Sequence, residues 1–227
     1  MPTNKPILQA LRELRARFGA VKTLKHALFR FINRFVYLDC LHIIVLNRGD
    51  LRPLDPANGH RLSTRIATLK DLQEMERQGC WEIQQRKIGF FAQGDICLLS
   101  YVDDNPAGYT WAHTQGCPEL VPGLRLSVPR DYIYNYAGFT LPEYRGYGLQ
   151  SFRHHALLNH NKWSDRKGLL GFVIHTNYSS MRGQDKSGYI RIGDIWLLGT
   201  KANFCALVGK SLRNMGIRRI QARPPHA

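Results

Sequence analysis

Hydrophobic residues recur at the spacing of helix turns along the first 35 positions. Two runs share the pattern i, i+4, i+7, i+11 and are separated by Gly19; they comprise Ile7, Leu11, Leu14 and Phe18, and then Leu24, Leu28, Phe31 and Phe35. The faces opposite these runs are rich in Lys and Arg. The pattern predicts two amphipathic helices whose polar faces are basic.

The segment that follows changes character twice. Residues 37–46 are β-branched and aromatic, which is typical of a strand. Residues 48–60 are rich in Gly, Pro, Asp and Asn, which is typical of a linker. We therefore expect two units. Residues 1–60 would form a basic helical arm with a short strand and a linker, and residues 61–227 would form the catalytic domain.

Strand-like and helix-like patterns alternate from residue 61 onwards. The predicted strands are residues 62–68, 96–102, 107–112, 131–140, 169–175, 189–198 and 203–208. One helix is predicted to start near Asp71 and another to cover residues 149–163, where three histidines without metal-ligand spacing, His154, His155 and His160, are expected to face solvent. This alternation predicts a mixed α/β sheet packed against helices.

Positive charge is concentrated at the two ends of the chain. The formal net charge is +15, yet residues 1–35 hold eight Lys or Arg against one acid, and residues 201–227 hold six against none. Such ends could attract an anionic membrane surface, an acidic carrier protein or nucleic acid. Nucleic acid is the weakest of these alternatives, because the basic residues alternate with core-type apolar residues rather than exposed aromatics.

Composition and cysteine usage limit the kind of protein and the cellular compartment that the sequence can indicate. A hydrophobic content of 44% and a charged content of 22% exclude a disordered chain. The five cysteines are odd in number and form no CxxC pair, so we expect neither a disulfide framework nor a metal site. No apolar run approaches the length of a membrane span. These features predict a cytoplasmic protein, at most peripheral at the inner face of the membrane.

The most informative motif is Thr-Leu-Pro-Glu-Tyr-Arg-Gly-Tyr-Gly-Leu-Gln-Ser at positions 140–151. A strand ends there, Pro142 prevents its continuation, and two glycines precede a helix. Glycine allows a tight turn and close approach of a ligand. The first helical turn then presents unpaired N–H groups at the positive end of the helix dipole. Together these features predict a pyrophosphate-binding turn.

This motif resembles the acyl-CoA-binding motif of the GNAT superfamily of N-acetyltransferases. A second element fits the same resemblance: Asn177 follows the strand 169–175, and Lys-Ser-Gly-Tyr at 186–189 is similar to the Lys-Leu-Gly-Phe-like sequence that ends the next helix. The resemblance covers roughly residues 61–199. It implies a mixed, mostly antiparallel sheet whose central strands splay apart and are flanked by helices.

The resemblance also implies a donor and its binding residues. Acetyl-CoA would place its pyrophosphate on the backbone of residues 146–151 and its pantetheine between the strands that end at Thr140 and His175. A backbone N–H near Phe139 would stabilise the oxyanion of acyl transfer. The implied binding residues are Phe139, Thr140, Leu141, Arg145, Gly146, Tyr147, Gly148, Leu149, Gln150, Ser151, Asn177 and Ser180.

The catalytic groups are less evident. GNAT enzymes often carry a Tyr as general acid seven residues after the Asn, but this chain has Gln184, which has no proton to give up. Tyr178 is the nearest substitute by sequence. The candidate bases are Tyr134, His113 and His175, and His175 combines placement at a strand end with an ordinary pKa near neutrality. A further departure from the motif is Gln150, whose side chain must point away from the phosphates.

The leading prediction is transfer of an acetyl group from acetyl-CoA to a primary amine of a small molecule or amino sugar, by direct attack. Two alternatives stay open: long-chain acyl transfer from acyl-CoA or an acyl carrier protein that binds residues 1–35, and a non-catalytic acyl-CoA sensor at a membrane surface. The second arm helix could lie on that membrane or pack on the core. Trp81 is the favoured aromatic on the acceptor side, and a homodimer is compatible with the sequence.

Overall fold

The computed structural model describes residues 7–53, 59–77, 89–91, 94–113, 119–121, 123–200 and 202–220. The helices are α1 (Ile7–Phe18), α2 (Ala20–Ile32), α3 (Leu69–Arg77), α4 (Leu149–Leu158), α5 (Tyr178–Ser187) and α6 (Lys210–Asn214). The strands are β1 (Tyr37–Asn47), β2 (Leu62–Ile66), β3 (Ile96–Val102), β4 (Asn105–His113), β5 (Glu119–Val121), β6 (Leu124–Leu126), β7 (Tyr132–Thr140), β8 (Gly168–Ile174), β9 (Ile190–Gly199), β10 (Phe204–Val208) and β11 (Arg219–Ile220). Trp81 lies outside the described residues.

Eight strands form one sheet in the order β10-β9-β1-β8-β7-β4-β3-β2. Every neighbouring pair in it is antiparallel except β7 and β8, which run parallel. Strands β11, β6 and β5 form a small second sheet. The predicted fold class, a mixed and mostly antiparallel sheet flanked by helices, is confirmed.

Strand β1 is a central strand of the sheet and not part of a peripheral arm. It pairs antiparallel with β8 on one side and with β9 on the other, and most of its side chains are buried. The apolar run at 37–46 therefore shares its core with strands that follow residue 61. Of the helices and strands described in residues 7–47, α1 and α2 lie outside the sheet. The division of the chain at residue 60 stays a prediction.

The sheet has an apolar core on each face, because its strands alternate the direction of their side chains. One core lies beneath α4 and includes Ile44, Leu46, Ile133, Leu157 and Trp163. The other lies beneath the small sheet and α6 and includes Leu41, Ile43, Leu124, Leu126 and Leu212. Two cores hold the central strands from both sides, which gives the site a rigid support.

The parallel strands β7 and β8 pair over a short length only. Their ladder joins Tyr132, Ile133 and Tyr134 to Gly168, Leu169 and Leu170. Both strands then continue, β7 to Thr140 and β8 to Ile174, without further ladder pairs. The predicted splay of the central strands is therefore present, and we call the space between their carboxyl ends the strand gap.

Candidate functional site

The turn between β7 and α4 has the backbone of an anion-binding turn. A short 3₁₀ turn at Pro142–Tyr144 ends the strand direction, and Gly146 and Gly148 then adopt left-handed φ values of 98° and 73°. These values favour glycine, because a Cβ would clash with the following carbonyl oxygen. Gly148 precedes α4 without a side-chain cap, so the first-turn N–H groups are left for a ligand.

The neighbours of this turn fix its position. The Leu141 N–H donates to the Ala107 carbonyl oxygen at 2.9 Å, and Arg145 Nε donates to the Thr140 carbonyl oxygen at 3.3 Å. Tyr147 and the buried Leu149 pack with Ala107 in a small apolar cluster. The turn is thus tied to β4 on one side and to α4 on the other. Arg145 is exposed, and its guanidinium stays near the end of β7.

A buried cation lies behind the turn. Arg153, on the second turn of α4, is 2% exposed and donates from Nη1 to Ser100 Oγ at 2.8 Å and from Nη2 to Thr140 Oγ1 at 2.9 Å. Burial lowers the pKa of Arg153 to about 10, so it remains charged at neutral pH. Both hydrogen-bond partners are neutral. Its positive charge therefore favours an anion at the adjacent turn.

The side chain of Gln150 does not obstruct the turn. It lies against α5, where a Cβ at Gly183 would collide with Gln150 Oε1. Next to it on α4, Ser151 Oγ is 2.9 Å from Ser187 Oγ of α5. The departure from the usual motif at position 150 is accommodated, because the longer side chain contributes to packing between α4 and α5.

Asn177 and Ser180 lie together at the start of α5. The Asn177 side-chain oxygen accepts a hydrogen bond from the Ser180 N–H at 3.1 Å, so Asn177 is the helix cap. That oxygen is occupied, and the amide nitrogen is the group Asn177 can offer to a ligand. Asn177 is exposed at the end of β8, at the opening of the strand gap.

A β-bulge at the end of β7 turns the backbone toward the strand gap. Tyr109 pairs with Phe139 and Trp111 with Tyr136, so the two residues Ala137 and Gly138 oppose Thr110 alone. Ala137 has a left-handed φ of 47°, which costs a non-glycine residue about 1–2 kcal/mol. Both bulge residues are exposed. The bulge lies directly before Phe139, where the resemblance implies an oxyanion-binding N–H.

The structure does not bring the three predicted catalytic side chains together. Tyr134 is 1% exposed in the core beneath the small sheet, and burial raises its pKa, so its phenol stays protonated. His175 and Tyr178 lie instead beside the α1–α2 hairpin. The catalytic roles of Tyr134, His175 and Tyr178 stay predictions. The contacts of Tyr134 and Tyr178 favour structural roles for these two.

His175 is buried beneath α2. Its ring lies 4.1 Å from the Phe29 ring, and Nδ1 is 3.1 Å from an Asp39 carboxylate oxygen. Tyr178 donates its hydroxyl hydrogen to the Lys22 carbonyl oxygen at 3.1 Å and packs against Phe18. Burial raises the pKa of Tyr178. The Tyr178 hydroxyl therefore links the arm to α5, and its proton is directed away from the strand gap.

The candidate base His113 forms a triad with Asp95 and Tyr136, two residues that sequence reasoning missed. The triad lies next to the bulge, on the face of the sheet opposite α4. The buried Asp95 carboxylate accepts one hydrogen bond from the Tyr136 hydroxyl, and its second oxygen pairs with His113 Nδ1. Burial, reinforced by the bond to Asp95, raises the pKa of Tyr136. His113 Nε2 is buried without a partner in the part of the chain described. Tyr136 directly precedes Ala137 of the bulge, so the triad is attached to β7 next to the bulge.

The predicted hairpin held only part of the signal for this triad. Ile96 pairs with Ala112, so the next position along the same register sets Asp95 opposite His113. Extending the register from the turn would set Asp95 opposite Ala112 instead, because the ladder shifts by one residue between Ser100 and Tyr101. Tyr136 could not be found in this way, because β7 joins β4 across the intervening residues 114–131.

A second cluster of ionisable side chains lies on β1 and β9. The ligand atoms of Cys40, His42 and Asp194 fall within 4.8 Å of one another. Arg191 already pairs with the Asp194 carboxylate, which also holds His42 Nδ1 at 2.9 Å. Burial raises the pKa of the Cys40 thiol to about 11, so it stays protonated. We assign this cluster to structural hydrogen bonding.

The predicted solvent exposure of the α4 histidines is wrong for His154. This side chain is 2% exposed, and its ring lies 5.1 Å from the Tyr189 ring in the core between α4 and the sheet. Burial lowers the pKa of His154 to about 3, so the imidazole is neutral in the folded protein. Position 154 faces the core because it lies three and four residues before the buried Leu157 and Leu158, which share its side of the helix.

No protein-family model and no curated protein sequence matches this chain. Among solved structures it is similar to a protein of unknown function from Staphylococcus epidermidis, with 10% identity, 86% of this chain and 81% of that chain covered, and a TM-score of 0.49. A GCN5-related N-acetyltransferase from Kribbella flavida aligns at 14% identity over 81% and 64% of the two chains, with a TM-score of 0.47. A predicted acetyltransferase from Clostridium acetobutylicum, solved with acetyl-CoA, aligns at 16% identity over 56% and 89%, with a TM-score of 0.40. These values do not establish family or activity.

Proposed function

We propose that the protein is an N-acyltransferase that transfers an acetyl group from acetyl-CoA to a primary amine. The observation that carries this proposal is the junction of the strand gap with the uncapped turn at Gly146 and Gly148. A coenzyme A molecule has a diphosphate for the turn and a narrow pantetheine arm for the gap. The buried charge of Arg153 supports the same ligand, as does the Asn177 amide nitrogen, which has no partner among the described residues.

In the proposed reaction, the lone pair of the amine attacks the carbonyl carbon of the thioester. The resulting oxyanion would be stabilised by a backbone N–H of the bulge at residues 137–139. Collapse of this intermediate breaks the carbon–sulfur bond and releases the coenzyme A thiolate, and the nitrogen loses its extra proton to water to give the neutral amide. Holding the two reactants side by side supplies much of the rate enhancement.

The Asp95–His113–Tyr136 triad is the proposed proton acceptor. With His113 Nδ1–H donated to Asp95, Nε2 carries the lone pair and can take a proton from the ammonium form of the acceptor. Asp95 would hold the ring in this tautomer through the hydrogen bond at Nδ1. The Tyr136 bond to the second carboxylate oxygen keeps Asp95 in position beside the bulge.

A thiol-release assay with acetyl-CoA and a panel of primary amines tests the activity. We expect amine-dependent release of coenzyme A thiol together with the N-acetylated amine, identified by mass spectrometry. Thermal shift with acetyl-CoA, long-chain acyl-CoA and free coenzyme A ranks the donors by the stabilisation each provides. Stabilisation by none of the three would refute a coenzyme A site, and stabilisation without turnover of any amine would favour a sensor.

A further inference from the structure

Helix α2 presents an apolar stripe to solvent. The stripe consists of Val21, Leu24, Leu28 and Phe31 on α2 and Phe35 in the turn that follows, with exposed fractions from 51% to 82%. Phe31 and Phe35 contact each other at 5.4 Å between ring centroids. No side chain of α2 is fully buried. The stripe is therefore not covered by the core, contrary to one of the two alternatives that the sequence left open.

The opposite side of α2 is the side that holds the helix to the protein. Phe29 packs on His175, and the Lys22 carbonyl oxygen accepts the Tyr178 hydroxyl hydrogen. At the end of the helix, the Asn33 side chain donates to the Leu38 carbonyl oxygen at 2.8 Å and accepts from the Leu38 N–H at 3.0 Å. These contacts fix the rotation of α2 about its axis. The apolar stripe must consequently face outward.

The charge around the stripe is strongly positive. Residues 1–35 carry eight Lys or Arg and one acid. On the 100° per residue of an α-helix, Lys25 lies beside the stripe, whereas Lys22 and Arg30 lie toward the opposite face. A second copy of this chain docking through the same stripe would bring two such positive surfaces together, which opposes association. Nucleic acid would match the cations but not the leucines and phenylalanines.

We propose that the α1–α2 hairpin docks on an anionic membrane surface, with the stripe inserted at the boundary between headgroups and acyl chains. An exposed apolar stripe on a hairpin rich in Lys and Arg matches both the apolar and the charged parts of such a surface. Of the helices described, none combines the length and apolarity that spanning a bilayer requires. A helix that lies in the plane of the membrane needs only one apolar face. This inference does not depend on the acyltransferase proposal.

Vesicle co-sedimentation of the full chain tests the proposal with two lipid compositions. One set of vesicles is phosphatidylcholine alone, and the other contains about one-third phosphatidylglycerol, enough to give a negative surface potential. We expect binding to the anionic vesicles that weakens as salt is raised, and little binding to the neutral ones. Absence of binding to anionic vesicles at low salt would overturn the proposal.

Variants separate the stripe from charge alone. Because Leu28 and Phe31 are exposed, L28S/F31S should fold normally and bind anionic vesicles about tenfold or more weakly, through loss of inserted apolar area. The control is I190S, since Ile190 is 50% exposed, close to the 51% of Leu28, but lies on β9; its vesicle binding should stay within about twofold of wild type.

Two results with these variants would count against the membrane proposal. Equal vesicle binding by L28S/F31S and wild type would show that charge alone is responsible. The second result would come from sedimentation velocity together with the vesicle assay. If the wild-type chain self-associates and fails to bind vesicles, and the L28S/F31S variant is monomeric, the stripe is covered by a second copy of the chain. Circular dichroism and thermal unfolding confirm that each variant is folded.

Discussion

Substitution of Gly146 by Asp tests whether the turn after β7 holds a diphosphate. Gly146 is exposed, has a φ of 98°, and has no atom within 4 Å of where a Cβ would stand. Asp fits into the open space and is among the non-glycine residues that best tolerate a left-handed backbone. The substitution therefore places a negative charge at the proposed phosphate position with little change in packing.

The expected loss of affinity follows from the charge separation. Two unit charges 4 Å apart interact by about 1 kcal/mol in bulk water and about 4 kcal/mol near a protein surface. Since position 146 is exposed, the lower end applies, and repulsion by a diphosphate should cost about 1–2 kcal/mol, which raises the Kd for coenzyme A about 5- to 30-fold. Raising the salt concentration should reduce this difference.

Two control variants separate the charge from the backbone strain. G146N has the same tolerance of a left-handed φ without the charge. G216D introduces the same residue at Gly216, which has a φ of 81° and equally open space but lies in the turn after α6. Isothermal titration with coenzyme A should show a weakened G146D, with G146N and G216D within about threefold of wild type. A wild-type Kd for G146D, or an equal loss in G146N, would refute the diphosphate site.

Three further predictions follow from the site. D95N should lower amine acetylation about 100-fold or more without changing the Kd for coenzyme A, whereas a merely structural Asp95 would lower the melting temperature and the affinity together. R153M should weaken coenzyme A binding. Its melting temperature should shift by no more than about 4 °C, because the charge that is removed is buried with neutral partners. Unchanged affinity for coenzyme A would contradict the role given to this cation. Because the folded pKa of His154, about 3, lies below the unfolded value of about 6.5, the stability it contributes is present above pH 6.5 and is lost as the pH falls toward 3. Urea unfolding at pH 7 and pH 5 should show that wild type loses about 2 kcal/mol more than H154F, and equal losses would contradict a buried neutral imidazole.

Local patterns predicted the turn well, because its features are properties of consecutive residues. Pro142 ends a strand, and Gly146 and Gly148 supply the left-handed backbone that the turn adopts. The hairpin of β3 and β4 was predictable for the same reason. The parallel pairing that leaves the strand gap came from the resemblance, since no short-range pattern records where two distant strands separate.

Long-range pairing explains what the sequence did not predict. The run that became β1 gives no sign that its partners are β8 and β9, more than 120 residues later, so it was assigned to the arm. The bulge at Ala137 depends on the register between β4 and β7, and periodicity within β7 does not encode it. The apolar stripe of α2 was visible as a helix pattern, but amphipathicity alone does not tell whether the apolar face meets core or lipid.

The absence of a Tyr at position 184 is compatible with the proposed chemistry. The Tyr178 hydroxyl donates a hydrogen bond to the Lys22 carbonyl oxygen, and Tyr134 is enclosed in the core, so neither tyrosine is placed to protonate the leaving sulfur. A thiol has an ordinary pKa of about 8.5, however, and its thiolate is stable enough near neutral pH to leave without a proton. The harder proton is the one on the ammonium acceptor, whose ordinary pKa is about 10.4 for an alkyl amine. A base beside the bulge therefore contributes more to this reaction than an acid would, and Asp95 with His113 occupies that place.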